Sequence, residues 1–560
     1  MSSNRDIISA RQYHDRTAHS PESVRRSGHT LDWDIKPLPF KIYPALAPLR
    51  LPTDLPALEA DTFAALAPAA PIARPAALDL ERLAALLYFS AGVTRVKSYP
   101  GGAQVHFRAA ASTGALYQTE VYVVAGALAG LEPGVYHFNP GDFSLRRLRA
   151  GDFRSAVAQA TADDAVATAG ACVILSAIYW RNTWKYQARG YRHLFWDGGT
   201  LLSQLLATAC ALDLPARLVT GFVDAHVNAL LGLDARKEAA LVVVPVGPSG
   251  PSAGAPPVVT TLDPEVVPLS AGEVDYPLLR EAYDDSSLDS EAEVTDWREG
   301  RGQVLHSDIF AAGRPARTSG NVGMQDLTPP RAAAGRSLGE TIAKRGSTRE
   351  FSGEAITAEE LSSALYHATR GFPADVPGGL TDLYVNVHAV TGLDPGAYAY
   401  HPGSHALARL RAGDVRAAST FLCLDQALGG TSSVTVFFLS DLAPVLERWG
   451  NRGYRVANLE AGLIGGRLYL GAYAQRFGAS GLTFYDRAVV DFFSPHAAGK
   501  DALFVTALGR SRKTTPQHHT PQHPVPLSTV PLSTVPLTLP SPQRGEGDRS
   551  ERSLPGIARF

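Results

Sequence analysis

At 560 residues the chain exceeds what a single hydrophobic core holds; with about 100 to 200 residues per domain as the usual range, two or more domains are expected. Hydrophobic residues at 45% and charged residues at 19% suit a folded chain with sizeable cores, and a formal net charge of -2 excludes the basic footprint of a nucleic-acid or anionic-membrane partner. Cys172, Cys210 and Cys423 are widely spaced and form no CxxC, so neither a disulfide framework nor a metal site is expected, and a reducing, cytoplasmic compartment is.

The N-terminus, MSSNRDIISARQYHDR, is polar and lacks a signal-peptide core, and no apolar run of about 18 residues predicts a membrane span. Residues 1–74 read as an N-terminal extension. LDLERLAALLYFSAG (78–92) has helical apolar spacing and ends at Gly; TEVYVVAG (119–126) reads as a strand, followed by a Gly/Pro turn and a second short strand. DGGTLLSQLLATACALDL (197–214) predicts an apolar helix and ALVVVPVG (240–247) a closing strand. Residues 250–335, with PSGPSAGAPP (248–257) at their start and DDSSLDSEAE (284–293) within, read as a linker with some ordered contacts. The series then returns: helix TAEELSSALYHATRG (357–371), strand DLYVNVHAV (382–390), helix LEAGLIGGRLYLGAYAQRFG (459–478) and strand ALFVTALG (502–509). Residues 514–560 are rich in Pro, Ser and Thr and repeat PLSTV, which predicts a disordered tail; the histidines of QHHTPQH read as solvated rather than metal-binding.

The return is a duplication. GLEPGVYHFNPG (130–141) recurs as GLDPGAYAYHPG (392–403) and RAGD (149–152) recurs at 411–414, both 262 residues on, while ARGYR (188–192) answers NRGYR (451–455) at 263. The expected architecture is α+β, with tandem copies at 75–249 and 336–513 packed as an intrachain pseudo-dimer.

Within AKRGSTREFSG, Arg345, Ser347 and Arg349 stand at alternate positions, where two guanidinium groups and a hydroxyl can face one phosphate dianion or, alternatively, make surface ion pairs. With Phe351 the stretch resembles the Arg-x-Ser-x-Arg-x-Phe motif that holds the FMN phosphate in flavin-dependent nitroreductases. In copy one, FRAAASTGALYQTEVYVVAG (107–126) resembles the Arg-x-x-Pro-Ser-x-Gly-Ala-Leu-Tyr-Pro segment of the SagB-type thiazoline/oxazoline dehydrogenases of that superfamily, with Ala111 and Gln118 in place of the two prolines. The resemblance implies a nitroreductase-like fold, FMN as cofactor, and Arg108, Ser112, Thr113 and Gly114 along the flavin. It also implies sites built between two subunits.

The copies have lost different parts. Tyr88 to Gly130 spans 42 positions in copy one, whereas Tyr366 to Gly392 spans 26 in copy two, and the missing residues fall on the Ser112–Gly114 loop. Copy two alone ends in ALGRSRK, offering Arg510 and Arg512 for a phosphate; VRRSGHT (24–30) is a poor phosphate motif for copy one. One composite flavin site per chain is expected. Ser480 and Gly481 in GASGLT (478–483) are candidates to approach the flavin, glycine permitting close backbone contact.

Lys185 and Tyr186 match a Lys-Tyr pair that azoline-oxidising relatives use in catalysis; Arg448 and Trp449 replace them in copy two. The alternative is a lysine stem packed beside a tyrosine. Arg189, Tyr191, Arg192 and Asp224 recur as Arg452, Tyr454, Arg455 and Asp486, which favours a fold role, and His193, unique to copy one, reads as an interior histidine or a ligand contact. The expected activity is FMN-dependent dehydrogenation of an azoline in a ribosomally made, modified peptide, with a peptide or small-molecule substrate and a cyclodehydratase complex as partner. An NAD(P)H-dependent nitro- or quinone reductase and a flavin-free scaffold are the alternatives.

Overall fold

The computed structural model describes residues 4, 6–67, 72, 74–98, 104–300 and 323–512; the expected disordered tail, 514–560, lies outside them. Strand β1 (Pro48–Arg50), the hairpin β2 (Val93–Ser98) and β3 (Gln104–Arg108), and β4 (Thr119–Ala125), β5 (Gly134–Asn139), β6 (Ser144–Ala150), β7 (Ala171–Ile178) and β8 (Glu238–Val246) belong to the first half. Their main sheet is antiparallel in the order β1-β6-β5-β4-β7-β8. The second half supplies β9 (Met324–Asp326), β10 (Ile356–Thr357), β11 (Asp382–Val387), β12 (Val390–Thr391), β13 (Gly396–His401), β14 (Ala406–Ala412), β15 (Val434–Ser440), β16 (Gly478–Gly481) and β17 (Asp501–Gly509). Its main sheet, β16-β17-β15-β11-β13-β14-β9, repeats the first with one added edge strand. Even the β-bulges match: Val135/Tyr136 in one sheet and Ala397/Tyr398 in the other.

The first helix of each copy forms where its periodicity places it, ending at Gly92 in copy one and, in copy two, at Arg370, one residue before Gly371. Asp79 caps Leu80–Ala91 by accepting from the Arg82 N–H, and Thr357 and Glu360 form a reciprocal capping box on Ala358–Thr369. The apolar helices begin earlier than their hydrophobic runs suggest, at Gly190 (to Ala211) and Arg452 (to Ala474). The Arg-Gly-Tyr-Arg stretches are helical because their polar side chains are buried against the other copy, which outweighs weak local propensity.

These two helices run against each other through the centre and are buried on nearly every face. Glycine permits the contact: a Cβ on Gly199 would lie 2.3 Å from the Leu459 carbonyl oxygen, and one on Gly462 would lie 2.3 Å from that of Trp196. At the crossing, the Trp196 indole donates to Asn458 Oδ1 at 2.8 Å.

Two reciprocal ion clusters flank the crossing. Arg189 and Arg192 of copy one bind Asp486 of copy two, while Arg452 and Arg455 of copy two bind Asp224 of copy one. Burial by itself would raise both carboxyls, but the paired guanidinium groups hold them below the usual carboxylate range.

The backbone completing each cluster comes from the regions read as extension and linker. The His14, Thr17 and His19 main chain serves one cluster, and the Tyr283, Ser286 and Leu288 main chain the other, each pair 269 residues apart. Helices Ile8–Arg16 and Pro21–Arg26 thus correspond to Pro277–Asp284 and Glu291–Glu299, with Ser20 and Ser290 as matching N-caps. The duplicated unit begins upstream of the part that sequence similarity reveals. Among the described residues, no helix is long and apolar enough to cross a membrane.

Candidate active site

Strand β7 leads directly into the helix Tyr179–Tyr186, which places Lys185 and Tyr186 in its last turn. Gln187 ends it with φ 51° and ψ -146°, a backbone region that strongly favours glycine; Gly450 occupies the matching position in copy two with φ 63° and ψ -160°. The Lys185 ammonium lies 5.3 Å from the Tyr186 ring centroid. Burial, helped by repulsion from Arg349 and Lys36, lowers the Lys185 pKa to about 8. Burial and the Asp197 carboxylate push Tyr186 up, keeping its phenol protonated and a donor. His193 packs edge-on against Tyr186 and bonds to Asn182 Oδ1 through Nδ1; burial and nearby Arg189 hold it neutral.

Gly114 faces the Tyr186 hydroxyl: a Cβ there would lie 2.9 Å from that oxygen, and the residue's φ of +63° also favours glycine. The hydroxyls of Ser112 and Thr113 are turned to Asp197, whereas Gly114 itself is exposed. The Arg108 side chain points inward to the Thr119 and Pro39 carbonyls, while its backbone faces the second copy.

Arg345 makes the junction between copies, donating from Nε to the Ala109 carbonyl at 2.6 Å and from Nη2 to the Arg108 carbonyl at 2.8 Å. Two residues on, Ser347 Oγ lies 3.3 Å from the Tyr469 hydroxyl, which also accepts from the Gly481 N–H. Thr348 N–H donates to the Ala479 carbonyl, so the Arg345–Arg349 stretch lies along β16 beside buried Ser480. Arg349 is exposed and forms no ion pair among the described residues. Arg510 is committed to Glu360, and Arg512 to Glu350.

The structure therefore brings Lys185, Tyr186 and the 112–114 loop of copy one to the Arg345, Ser347 and Arg349 segment of copy two, with Ser480 and Gly481 behind it. Arg510 and Arg512 sit at the end of β17 in ion pairs of their own. The fit to a flavin is good at three points: an exposed guanidinium and a half-exposed hydroxyl for a phosphate, and a glycine facing the Tyr186 hydroxyl beside a lysine of lowered pKa.

Three contributors escaped the sequence reading. Asp197 gathers the loop; Tyr469 links Ser347 to Gly481; and residues 31–39 strap the site, with the Trp184 indole donating to the Asp32 carbonyl and Arg181 to that of Leu38. The strap sets exposed Trp33 edge-on to Trp184 and Lys36 over Trp33. Asp197 had a legible signal, an acid in an otherwise apolar helix matched 263 residues later by Glu460.

The opposite half is closed. Glu460 accepts from the Gly379 and Leu380 N–H groups and from Thr381 Oγ1. Asp375 accepts from the Thr220 and Gly221 N–H groups, and Leu218 exchanges backbone bonds with Pro373 and Asp375. The shortened loop, 372–381, thus lies over the copy-one segment that corresponds to β16. What remains is an apolar recess lined by Phe372, Val376, Leu380, Leu459 and Leu463, with no arginine in its lining.

The nitroreductase family pattern matches residues 59–248 and 342–509, one stretch in each copy, and the chain belongs to that family of generally FMN-dependent oxidoreductases. A nitroreductase-family protein of Methanocaldococcus jannaschii is 28% identical over 161 residues, covering 27% of this chain and 81% of its own. The crystal structure of a nitroreductase-family protein of Anabaena variabilis superposes with a TM-score of 0.70 at 27% identity. It covers 90% of this chain and 99% of its own, so the likeness extends through both copies. A chain of the Escherichia coli microcin synthetase complex is 19% identical with a TM-score of 0.28, covering 44% of this chain and 93% of its own.

Proposed function

We propose that this nitroreductase-family oxidoreductase is a SagB-type dehydrogenase that binds one FMN per chain and oxidises an azoline to an azole in a modified peptide. The observation carrying this reading is the asymmetry of the pseudo-dimer. Arg345 of copy two is bonded to the copy-one loop beside Lys185 and Tyr186, whereas the opposite half is filled by residues 372–381.

In this reading Ser347 and Arg349 hold the FMN phosphate, Arg345 braces the two copies around it, and residues 112–114 with Gly481 border the flavin ring. Aromatising an azoline removes a hydride from one ring carbon and a proton from its neighbour. Bound FMN supplies the two-electron acceptor for the hydride. Lys185 Nζ takes the proton: with a pKa of about 8, a fraction of it is unprotonated at neutral pH, far more than for an ordinary lysine. Tyr186, a phenol throughout the neutral range, donates a hydrogen bond that orients the ring. The reading also places the chain in the cytoplasm, in keeping with the free thiols of Cys172, Cys210 and Cys423, and alongside a cyclodehydratase that makes its substrate.

The test is anaerobic bleaching of the flavin-loaded protein by a thiazoline peptide, with azole formation followed by mass. Bleaching by NADPH together with inertness toward azolines would overturn the dehydrogenase reading in favour of a nitro- or quinone reductase. Protein that takes up no flavin would overturn both.

A further inference from the structure

The segments on either side of Tyr186 adopt backbone conformations that L-residues resist. In the facing loop Ala115 and Tyr117 have φ of 53° and 52°, beside Gly114 at 63°, and Gln187 follows Tyr186 at 51°. Such conformations persist only where the surroundings over-determine them.

The restraint on the loop converges on one carboxylate, fully enclosed in the central helix of copy one. Asp197 accepts from Ser112 Oγ at 2.6 Å, the Thr113 N–H at 2.8 Å, Thr113 Oγ1 at 2.7 Å and Gln118 Nε2 at 2.6 Å. Three of the four converge on Oδ2 and the Thr113 hydroxyl takes Oδ1, so one charged oxygen gathers both ends of the loop. The loop is fastened a second time around the same helix, as Gln118 Nε2 also reaches the His193 carbonyl and Thr200 Oγ1 donates to that of Ala111. Gly114, the next residue after Thr113, is thereby held against the Tyr186 hydroxyl.

We propose that Asp197 is a positioning residue, a latch that holds the strained 112–117 loop against Tyr186 and so sets the geometry of the active site without touching the substrate. Glu460 is the internal control. It stands 263 residues later on the matching helix and also gathers a loop, but that loop turns through Gly378 and Gly379, with φ of +87° at Gly379, where glycine carries little strain. The copy-one latch works against strain and the copy-two latch does not. The activity readout rests on the function proposed above; the latch itself does not.

The experiment compares Asp197→Asn, Asp197→Glu and Glu460→Gln in the full chain. An asparagine oxygen in the Oδ2 place meets three donors but accepts well from about two and carries no charge, while its amide nitrogen faces only the Thr113 hydroxyl. Hydrogen–deuterium exchange of the peptide spanning 110–119 is expected to quicken at least tenfold in Asp197→Asn, with the peptide spanning 376–384 unchanged. In the flavin-loaded protein kcat is expected to fall at least tenfold with KM within threefold, Asp197→Glu recovering part of it and Glu460→Gln leaving kcat unaltered. Unchanged exchange at 110–119, or quickened exchange with wild-type kcat, overturns the proposal. Should Asp197→Asn fail to fold, Thr113→Val removes one donor only, and unchanged exchange in that variant also overturns it. If the wild-type protein oxidises no azoline, the proposed function fails while the exchange result still decides the latch.

Discussion

The three residues Lys185-Tyr186-Gln187 and their counterparts Arg448-Trp449-Gly450 end equivalent helices in equivalent ways and do different work. Trp449 is fully buried, and its carbonyl accepts from the Trp297 indole and the Asn4 side chain. A Cβ on Gly450 would fall 1.7 Å from the Asn4 carbonyl oxygen. Tyr186 instead faces Gly114 across an accessible loop, and Gln187 takes up the glycine-like conformation with a side chain in place. Positions that join the copies, the arginine pairs and their aspartates, are kept in both halves. Positions around one opening are kept on one side only, and on the other they have turned into packing. Duplication within one chain allows this, because each subunit of a true homodimer must supply both halves of both sites.

The largest effect should come from what the copies share. Removing the charge from a carboxylate that pairs two buried guanidinium groups costs about 3 to 5 kcal/mol, so Asp224→Asn and Asp486→Asn should lower stability to urea by similar amounts. Equal losses sharpen the equivalence of the two clusters; a large effect from one alone breaks it.

The next should come from what they do not share. Lys185→Met and Tyr186→Phe are expected to lower azoline turnover by about a hundredfold or more, the scale for a positioned acid–base group, with FMN retained. Arg448→Met should leave it near wild type. Undiminished turnover in both copy-one variants would leave the pair as packing.

Cofactor affinity should separate the candidate phosphate arginines. Arg349→Ala, removing an exposed guanidinium, should weaken FMN binding by roughly one to two decades, the equivalent of about 1.5 to 3 kcal/mol for a charge-assisted contact. Arg512→Ala, which breaks the exposed pair with Glu350, should change it little. The reverse order would move the phosphate toward the end of β17.

The smallest effect is a shift in pH dependence. With Lys185 acting as the base at a pKa of about 8, turnover should rise up to about tenfold per unit below pH 8 and level off above it. Lys36→Met removes one repulsive charge, so protonated Lys185 becomes easier to keep and the limb should move to higher pH. A limb that stays in place would mean that Lys36 does not act on the titrating group.

The duplication, the α+β class and the first helix of each copy were legible because they rest on local signals: periodic apolar residues and repeated turns. The upstream limit of the duplicated unit was not. Residues 14–19 serve their ion cluster through backbone groups, whereas 283–288 add the Tyr283, Ser286 and Ser287 hydroxyls, so what the two segments share is backbone geometry, which leaves the side chains free to differ. Similarly, sequence could nominate Arg108, Arg510 and Arg512 for an anion, because a motif records residue type. Only the structure shows that Arg108 turns to the Pro39 carbonyl and Arg510 to Glu360. Asp197 stood in view as an acid in an apolar helix, but its role depends on a loop more than 80 residues away in the chain.

The number of flavins per chain tests the asymmetry most directly. Reconstituting the full-length protein with excess FMN, removing unbound flavin, and measuring flavin released on denaturation against protein concentration should give one FMN per 560-residue chain. Two per chain would contradict the account, since the half closed by residues 372–381 would then be a working site.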